Sequence, residues 1–158
     1  MTDIDNIPAI LDEMAWDVAT VGDELTGCGS YFETGLLRQG IMNREDQNFE
    51  WGQPHQARWV AENGIERMRH DSVLGPNFEG DPRVARAYLL AAIAHRFSGE
   101  NLCYAVIDGG SVMPSTAHFD SAVVRAGEAI RHGQLAGEDS IVTAAYGVRA
   151  QAYMGLGD

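Results

Sequence analysis

The stretch RVARAYLLAAIAHRF, residues 83–97, constrains the fold more than any other part of the sequence. Apolar residues recur in it every three or four positions, which is the period of an α-helix, and its many alanines permit a close approach by neighbouring helices. Other segments show the same period, and none alternates with the period of two that predicts a strand over a useful length. The sequence therefore predicts an all-α protein with this helix at its centre.

About five helices are predicted, in a single domain that spans residues 1–158. The first has an apolar stripe at three- and four-residue spacing: Ile7, Ile10, Leu11, Met14, Val18, Val21 and Leu25. The second is expected from Pro54, a residue suited to the first turn of a helix, to about Asp71. The remaining three are expected at residues 82–98, 116–132 and 139–156. Two long loops are expected at residues 27–54 and 99–115, and the length of the first favours a functional role or a path across the surface.

The charge of the chain excludes several functions. Its net charge is -12, and all eleven basic residues are arginines, scattered from Arg38 to Arg149. Because the chain has no lysine, it cannot form a lysine Schiff base, and it lacks the lysine of a Walker-type phosphate-binding loop. An acidic chain with scattered arginines repels nucleic acid, so nucleic acid is not an expected partner. No apolar run is long enough for membrane insertion, and the acidic start MTDIDN is unlike a signal peptide, so the chain either acts in the cytoplasm or lacks its export signal.

No motif indicates catalysis. The histidines form no His-Glu-x-x-His pattern, and no Gly-x-Ser-x-Gly or dinucleotide-binding glycine pattern is present. His95, inside an apolar helix, is expected to donate a hydrogen bond to a carbonyl group, and the Asp-Gly-Gly at residues 108–110 is expected to be a turn. The sequence therefore predicts no enzyme, no metal site and no cofactor.

The last three predicted helices resemble one another. Each combines small and large apolar residues at similar spacings, such as Ala85, Tyr88 and Ala92 in the third and Ala145, Val148 and Ala152 in the fifth. This pattern is similar to tetratricopeptide repeats, in which small residues on one helix admit a bulky residue of its neighbour. A tetratricopeptide-like bundle of helical hairpins is therefore expected, with a generic alanine-rich bundle as the alternative.

Five segments carry a family resemblance: VATVGDELTGCGSY, WGQPHQARWVAENGIERM, ARAYLLAAIAHRFSGENLC, HFDSAVVRAGEAI and TAAYGVRAQAYMGLGD. Together they resemble SusD/RagB-type outer-membrane nutrient-binding lipoproteins. Such proteins are several times longer, begin with a signal and a lipidated cysteine, and carry most glycan contacts in parts absent here. The resemblance implies the helical part of a non-enzymatic module that captures glycans at the cell surface.

A glycan is expected to be held by aromatic side chains in loops, because flat rings stack on the apolar face of a sugar. The candidates are Tyr31, Trp51 and Tyr104, with a lid packed over the second helix as the alternative role of Trp51. Trp16 and Trp59 lie in predicted helices and are assigned to the core or to helix packing.

The two cysteines leave two possibilities open. The resemblance places Cys28 just after the first helix and Cys103 just after the third, so that both lie at one end of the bundle. They form either one disulfide, which implies an oxidising compartment, or two buried free thiols.

The final helix is predicted to contact another protein chain. Ala145, Val148, Ala152 and Tyr153 are expected to face the preceding helix. The apolar side chains left exposed are Tyr146, Met154 and Leu156. A further helix would cover them in a complete repeat, so the expected partner is a second copy, giving a homo-oligomer, or a missing C-terminal half. A structural or self-assembling subunit is therefore the alternative to the glycan-binding module.

Overall fold

A computed structural model of the chain describes residues 44–157, with side chains from Pro54 onward. This part of the protein contains four α-helices, one short 3₁₀ helix and one two-stranded hairpin. Most of the described residues are helical, which confirms the prediction of an all-α bundle. The predicted first helix, and the predicted loop up to residue 43, lie outside the described residues.

The helices are named in chain order. Helix α1 is Arg44–Arg69, α2 is Pro82–Asn101, α3 is Thr116–Ala136 and α4 is Asp139–Leu156. The 3₁₀ helix, Gly75–Gly80, separates α1 from α2. Strand β1, Tyr104–Ala105, pairs antiparallel with β2, Met113–Pro114, and this hairpin joins α2 to α3. The connection predicted at residues 99–115 thus begins after Asn101 and contains the hairpin.

Helix α1 begins earlier than the sequence predicted. Residues 44–54 were assigned to the loop, with Pro54 in the first helical turn, but Pro54 lies inside α1. An internal proline removes one backbone hydrogen bond and crowds the turn before it. Residues 44–53 contain no β-branched residue, and this composition favours a helix.

Helix α2 lies at the centre of the bundle, as the sequence predicted. Asp81 caps it by accepting a hydrogen bond from the backbone nitrogen of Arg83 at 2.9 Å. Its small residues are almost fully buried, at 0–3% exposure: Ala85, Ala87, Ala91, Ala92 and Ala94. Because an alanine presents only a methyl group, α1, α3 and α4 all approach this helix.

Neighbouring helices run antiparallel. Arg69 at the end of α1 donates to the Tyr88 hydroxyl in the first half of α2 at 3.1 Å. Tyr88 in turn stacks on His132 near the end of α3, with ring centroids 5.2 Å apart. Between α3 and α4 only Gly137 and Glu138 reverse the chain, and Gly137 adopts a left-handed φ of 72°. Consecutive antiparallel packing of the last three helices therefore matches the prediction.

The side chains predicted on α4 are placed as follows. Ala145, Val148 and Ala152 are buried, as expected. Tyr153 was predicted to face α3 but is 41% exposed, because it follows Ala152 by about 100° around the helix and so leaves the buried face. Among the predicted interface residues, Tyr146 is 46% and Met154 76% exposed. The third, Leu156, packs on the cluster of Phe119, Ala122 and Ala152 and is only partly exposed.

Phe119 of α3 sits between two glycines on neighbouring helices. A Cβ atom on Gly99 of α2 would lie 2.9 Å from the Phe119 ring, and one on Gly155 of α4 would lie 2.5 Å from it. The ring therefore cannot move away from one helix without approaching the other.

We expect Gly155→Ala to lower the free energy of unfolding by about 1–2 kcal/mol, because overpacking of Phe119 outweighs the gain in helix propensity. The matched control is Gly147→Ala in the same helix, where an added Cβ has nothing within 4 Å. That change should raise the free energy by about 0.5–1 kcal/mol. Urea unfolding followed by circular dichroism measures both, and a stabilised Gly155→Ala protein would contradict the packing described for Phe119.

Candidate functional site

Charged and imidazole side chains from four parts of the fold meet on one side of α1. Helix α1 supplies Arg58 and Glu62, and α2 supplies His95. The turn of the hairpin supplies Asp108, and α3 supplies His118 and Arg125. These six residues are called the Glu62 network below.

The carboxylate of Glu62 is the centre of this network. Its Oε1 accepts hydrogen bonds from Arg125, at 3.0 Å from Nε and 2.7 Å from Nη2, and lies 3.2 Å from Nε2 of His95. Its Oε2 accepts a bond from Nη1 of Arg58 at 2.6 Å. Burial acts to raise the pKa of Glu62, but hydrogen bonds and charges from His95 and Arg125 outweigh it and hold the pKa at about 2. Glu62 is therefore ionised at neutral pH.

Arg58 fixes the hairpin onto α1. Its side chain is 4% exposed, and its Nη2 donates to Oδ1 of Asp108 at 2.6 Å. A second bond runs from Nη1 to Oδ2 of Asp108 at 3.3 Å, so the pair is bidentate. Asp108 has a φ of 52°, a left-handed conformation that aspartate tolerates better than most residues. The Asp-Gly-Gly segment is thus a turn, as predicted, and the Asp108 carboxylate in this turn pairs with the buried Arg58.

His95 and His118 form a buried pair behind Glu62. Nε2 of His95 donates to the ionised Glu62, and Nδ1 of His95 lies 3.2 Å from Nδ1 of His118. This arrangement leaves Nε2 of His118 buried without a hydrogen-bond partner. Burial lowers the pKa of His118 to about 4, with further lowering by the charges of His95, His55 and Arg58. The predicted bond from His95 to a carbonyl was wrong, because Glu62 and His118 occupy both ring nitrogens.

A cleft of about 240 Å³ opens beside the network. It is lined by residues of α1, the hairpin turn and α3: Arg58, Trp59, Glu62, Asn63, Ile65, Glu66, Asp108 and Arg125. Trp59 is 55% exposed, so the core or packing role expected from the sequence was wrong. The buried stripe of α1 contains Ala57, Ala61, Ile65 and Met68, and Trp59 lies off that stripe. Trp59, Asn63 and Glu66 are spaced at i, i+4 and i+7, and this spacing in the sequence indicates that they share one face of α1.

The structure does not bring the three predicted ligand-binding aromatics together. Tyr31 lies outside the described residues, and Trp51 is in α1, which makes its assignment to a loop wrong. Tyr104 is 62% exposed on β1 and does not line the cleft. Cys103 has a free, exposed thiol rather than a buried one, and Cys28 lies outside the described residues.

The low pKa of Glu62 makes this residue poorly suited to proton transfer. Glu62 is held by two guanidinium groups, and a carboxyl group with a pKa of about 2 is a poor general acid or base near neutral pH.

Within residues 44–157, no group of three or more histidine, cysteine, aspartate or glutamate side chains is placed to hold a metal ion. The same part of the chain has no helix that is long and apolar enough to cross a membrane.

Comparison with known proteins gives no relative. No family model, no curated protein and no solved structure matches the chain.

Proposed function

We propose that this domain is a non-enzymatic binding module, and that the cleft beside Trp59 holds a neutral, polyhydroxylated ligand such as one sugar ring of a glycan. The observation that carries the proposal is the exposed indole of Trp59 next to Arg125 and Asp108, which hydrogen bonds to Glu62 and Arg58 already fix in place. An indole face packs on the C–H groups of a sugar ring. Arg125 and Asn63 supply donors, and Glu66 and Asp108 supply acceptors, for its hydroxyl groups.

The charge balance of the cleft supports a neutral ligand. Two guanidinium groups, on Arg58 and Arg125, face three carboxylates, on Glu62, Glu66 and Asp108. The lining is therefore slightly negative, in a chain whose net charge is -12, and this disfavours anions. A volume of about 240 Å³ is also below the range of roughly 300–1,000 Å³ typical of drug-sized ligands, which suits a single ring.

The resemblance to SusD/RagB-type proteins supplies a setting for this activity. We propose that the domain is the helical part of a glycan-capture protein at the cell surface. This setting rests on the sequence resemblance, whereas the cleft rests on the geometry around Trp59, so each can be tested without the other.

Calorimetric titration of the full chain with neutral gluco-, xylo- and manno-oligosaccharides tests the binding function. We expect saturable binding of at least one of them, and Trp59→Ala should weaken it at least about tenfold, a loss of roughly 1.4 kcal/mol. Tyr104→Ala is the matched control, because Tyr104 is similarly exposed but outside the cleft. Absence of binding across the panel, or equal affinity of the Trp59→Ala protein, would contradict the proposal.

A second candidate function is assembly with another protein through α4. The exposure of Tyr146 and Met154 on this helix favours it, and neither residue lines the Trp59 cleft. Light scattering across a range of concentrations distinguishes a homo-oligomer from a monomer. The second function predicts that the wild-type chain associates and that Met154→Glu abolishes the association. A monomeric mass at high concentration for both the wild-type chain and Met154→Glu would contradict self-assembly.

A further inference from the structure

Helix α4 repeats the sequence of α2 at one constant offset. Aligning Ala87 and Tyr88 with Ala145 and Tyr146 brings further identical pairs into register. These pairs are Asp81 with Asp139, Val84 with Val142, Ala92 with Ala150, Ala94 with Ala152, and Gly99 with Gly157. The same alignment places His95 opposite Tyr153. The two helices are therefore equivalent positions of one repeat, and their surroundings can be compared residue by residue.

In α2, one face of this repeat is covered by α3. Tyr88 stacks on His132, and Ala92 packs in one cluster with Ala126. His95 meets His118 with 3.2 Å between their Nδ1 atoms. All three α2 residues on this face are buried, at 3% exposure or less.

In α4, no element of residues 44–157 covers the equivalent face. Tyr146 is 46% and Tyr153 is 41% exposed, and Ala150 between them is exposed as well. By contrast, Ala145 and Ala152 are buried like their counterparts in α2, because they pack into the bundle in both repeats. Tyr146, Ala150 and Tyr153 thus lack the cover that α3 gives to Tyr88, Ala92 and His95.

We propose that Tyr146, Ala150 and Tyr153, the α4 face, form the docking surface for one additional helix of the α3 kind. The occupant runs antiparallel to α4 and presents small residues between ring-bearing side chains, as Ala126 lies between His118 and His132. The facing side of the occupant is mostly uncharged, because Asp139 and Arg149 are the two charged residues of α4. The Arg149 guanidinium lies over the Tyr146 ring, 4.9 Å from its centroid. This docking is independent of a ligand at Trp59.

The test supplies the α4 face with a helix of known chemistry. The full chain is extended after Asp158 by a copy of its own residues 101–136, which keeps the register of the repeat because Asp158 corresponds to Glu100. We expect the unfolding midpoint to rise by roughly 4 °C or more. We also expect hydrogen exchange in α4 to slow by about tenfold or more, since its opening would then require undocking.

Matched variants of the extended chain separate docking from a general effect. Tyr146→Glu with Tyr153→Glu should abolish both gains, whereas Val124→Glu, at a residue 60% exposed on α3, should keep them. A disordered extension with unchanged exchange in α4 would overturn the proposal. Dimers of the unextended chain that dissociate when Tyr146 and Tyr153 are replaced by glutamate would also overturn the proposal, because a second copy would then be the occupant.

Discussion

Replacing Glu62 by alanine is expected to lower the free energy of unfolding by about 3 kcal/mol, the low end of the loss seen when one partner of a buried ion pair is removed. Among the described residues, the change leaves Arg58, whose side chain is 4% exposed, with Asp108 as its one carboxylate partner. His95 loses the acceptor of its Nε2 proton at the same time. The low end applies because the Glu62 side chain retains 20% exposure, so water replaces part of the lost contacts.

Two variants at and near Glu62 calibrate this result. Glu62→Gln keeps hydrogen-bonding oxygen but loses the charge, so its loss should be smaller than that of alanine. Glu66→Ala removes an exposed carboxylate one turn further along α1 and should change stability by no more than about 0.5 kcal/mol. Urea unfolding at neutral pH measures all three. Equal stabilities for Glu62→Ala and Glu66→Ala would show that the network does not stabilise the fold.

Acidification from pH 7 to pH 4 is expected to lower the free energy of unfolding by about 2–3 kcal/mol through His118 alone. The pKa of His118 falls from 6.5 to about 4 on folding, because of burial first and the charges of His95, His55 and Arg58 next. Between these two values the unfolded chain binds the proton and the folded protein does not. The contribution of His118 to the free energy of unfolding is therefore complete above pH 6.5 and is lost as the pH falls towards 4.

Other groups extend the loss of stability in the same direction. Burial also lowers the pKa values of His55 and His132, and the depressed pKa of Glu62 adds a loss between 4.5 and about 2. A His118→Gln protein should show a shallower decline between pH 6.5 and 4, while His70→Gln, at an exposed site, should retain the slope. Urea unfolding at a series of pH values gives these slopes, and an unchanged slope in His118→Gln would contradict the buried, neutral state of His118.

The helices were predictable because their signals are local. The apolar period and alanine content of residues 83–97 predicted α2 and its central position. The same period predicted α4 with the bounds that the structure has, whereas α3 continues to Ala136, beyond its predicted end at residue 132. The error at Pro54 arose because proline suits a first turn and is also tolerated inside a helix whose preceding residues favour it. Tyr153 was misplaced because small and large residues alternate so closely on α4 that two neighbouring faces are both apolar.

The site was not predictable, because its residues are distant in sequence and meet only through packing. Glu62, His95, Asp108 and Arg125 belong to four separate elements, and each reads by itself as a surface charge or an isolated histidine. Trp59 was assigned to packing because helical aromatics are usually part of the core. Only the direction of α1 relative to α3 and the hairpin shows that its indole borders a polar cleft.

The most direct test of the Trp59 cleft is to follow the indole N–H resonances of the full chain by NMR during titration with the oligosaccharide that binds. The chain has three tryptophans, Trp16, Trp51 and Trp59, and Trp59→Phe assigns the resonance in question. We predict that the Trp59 resonance shifts progressively to saturation with the same affinity as the calorimetric titration. A saturating shift confined to Trp51, or binding that leaves the Trp59 resonance unchanged, would contradict the proposal that this cleft is the binding site.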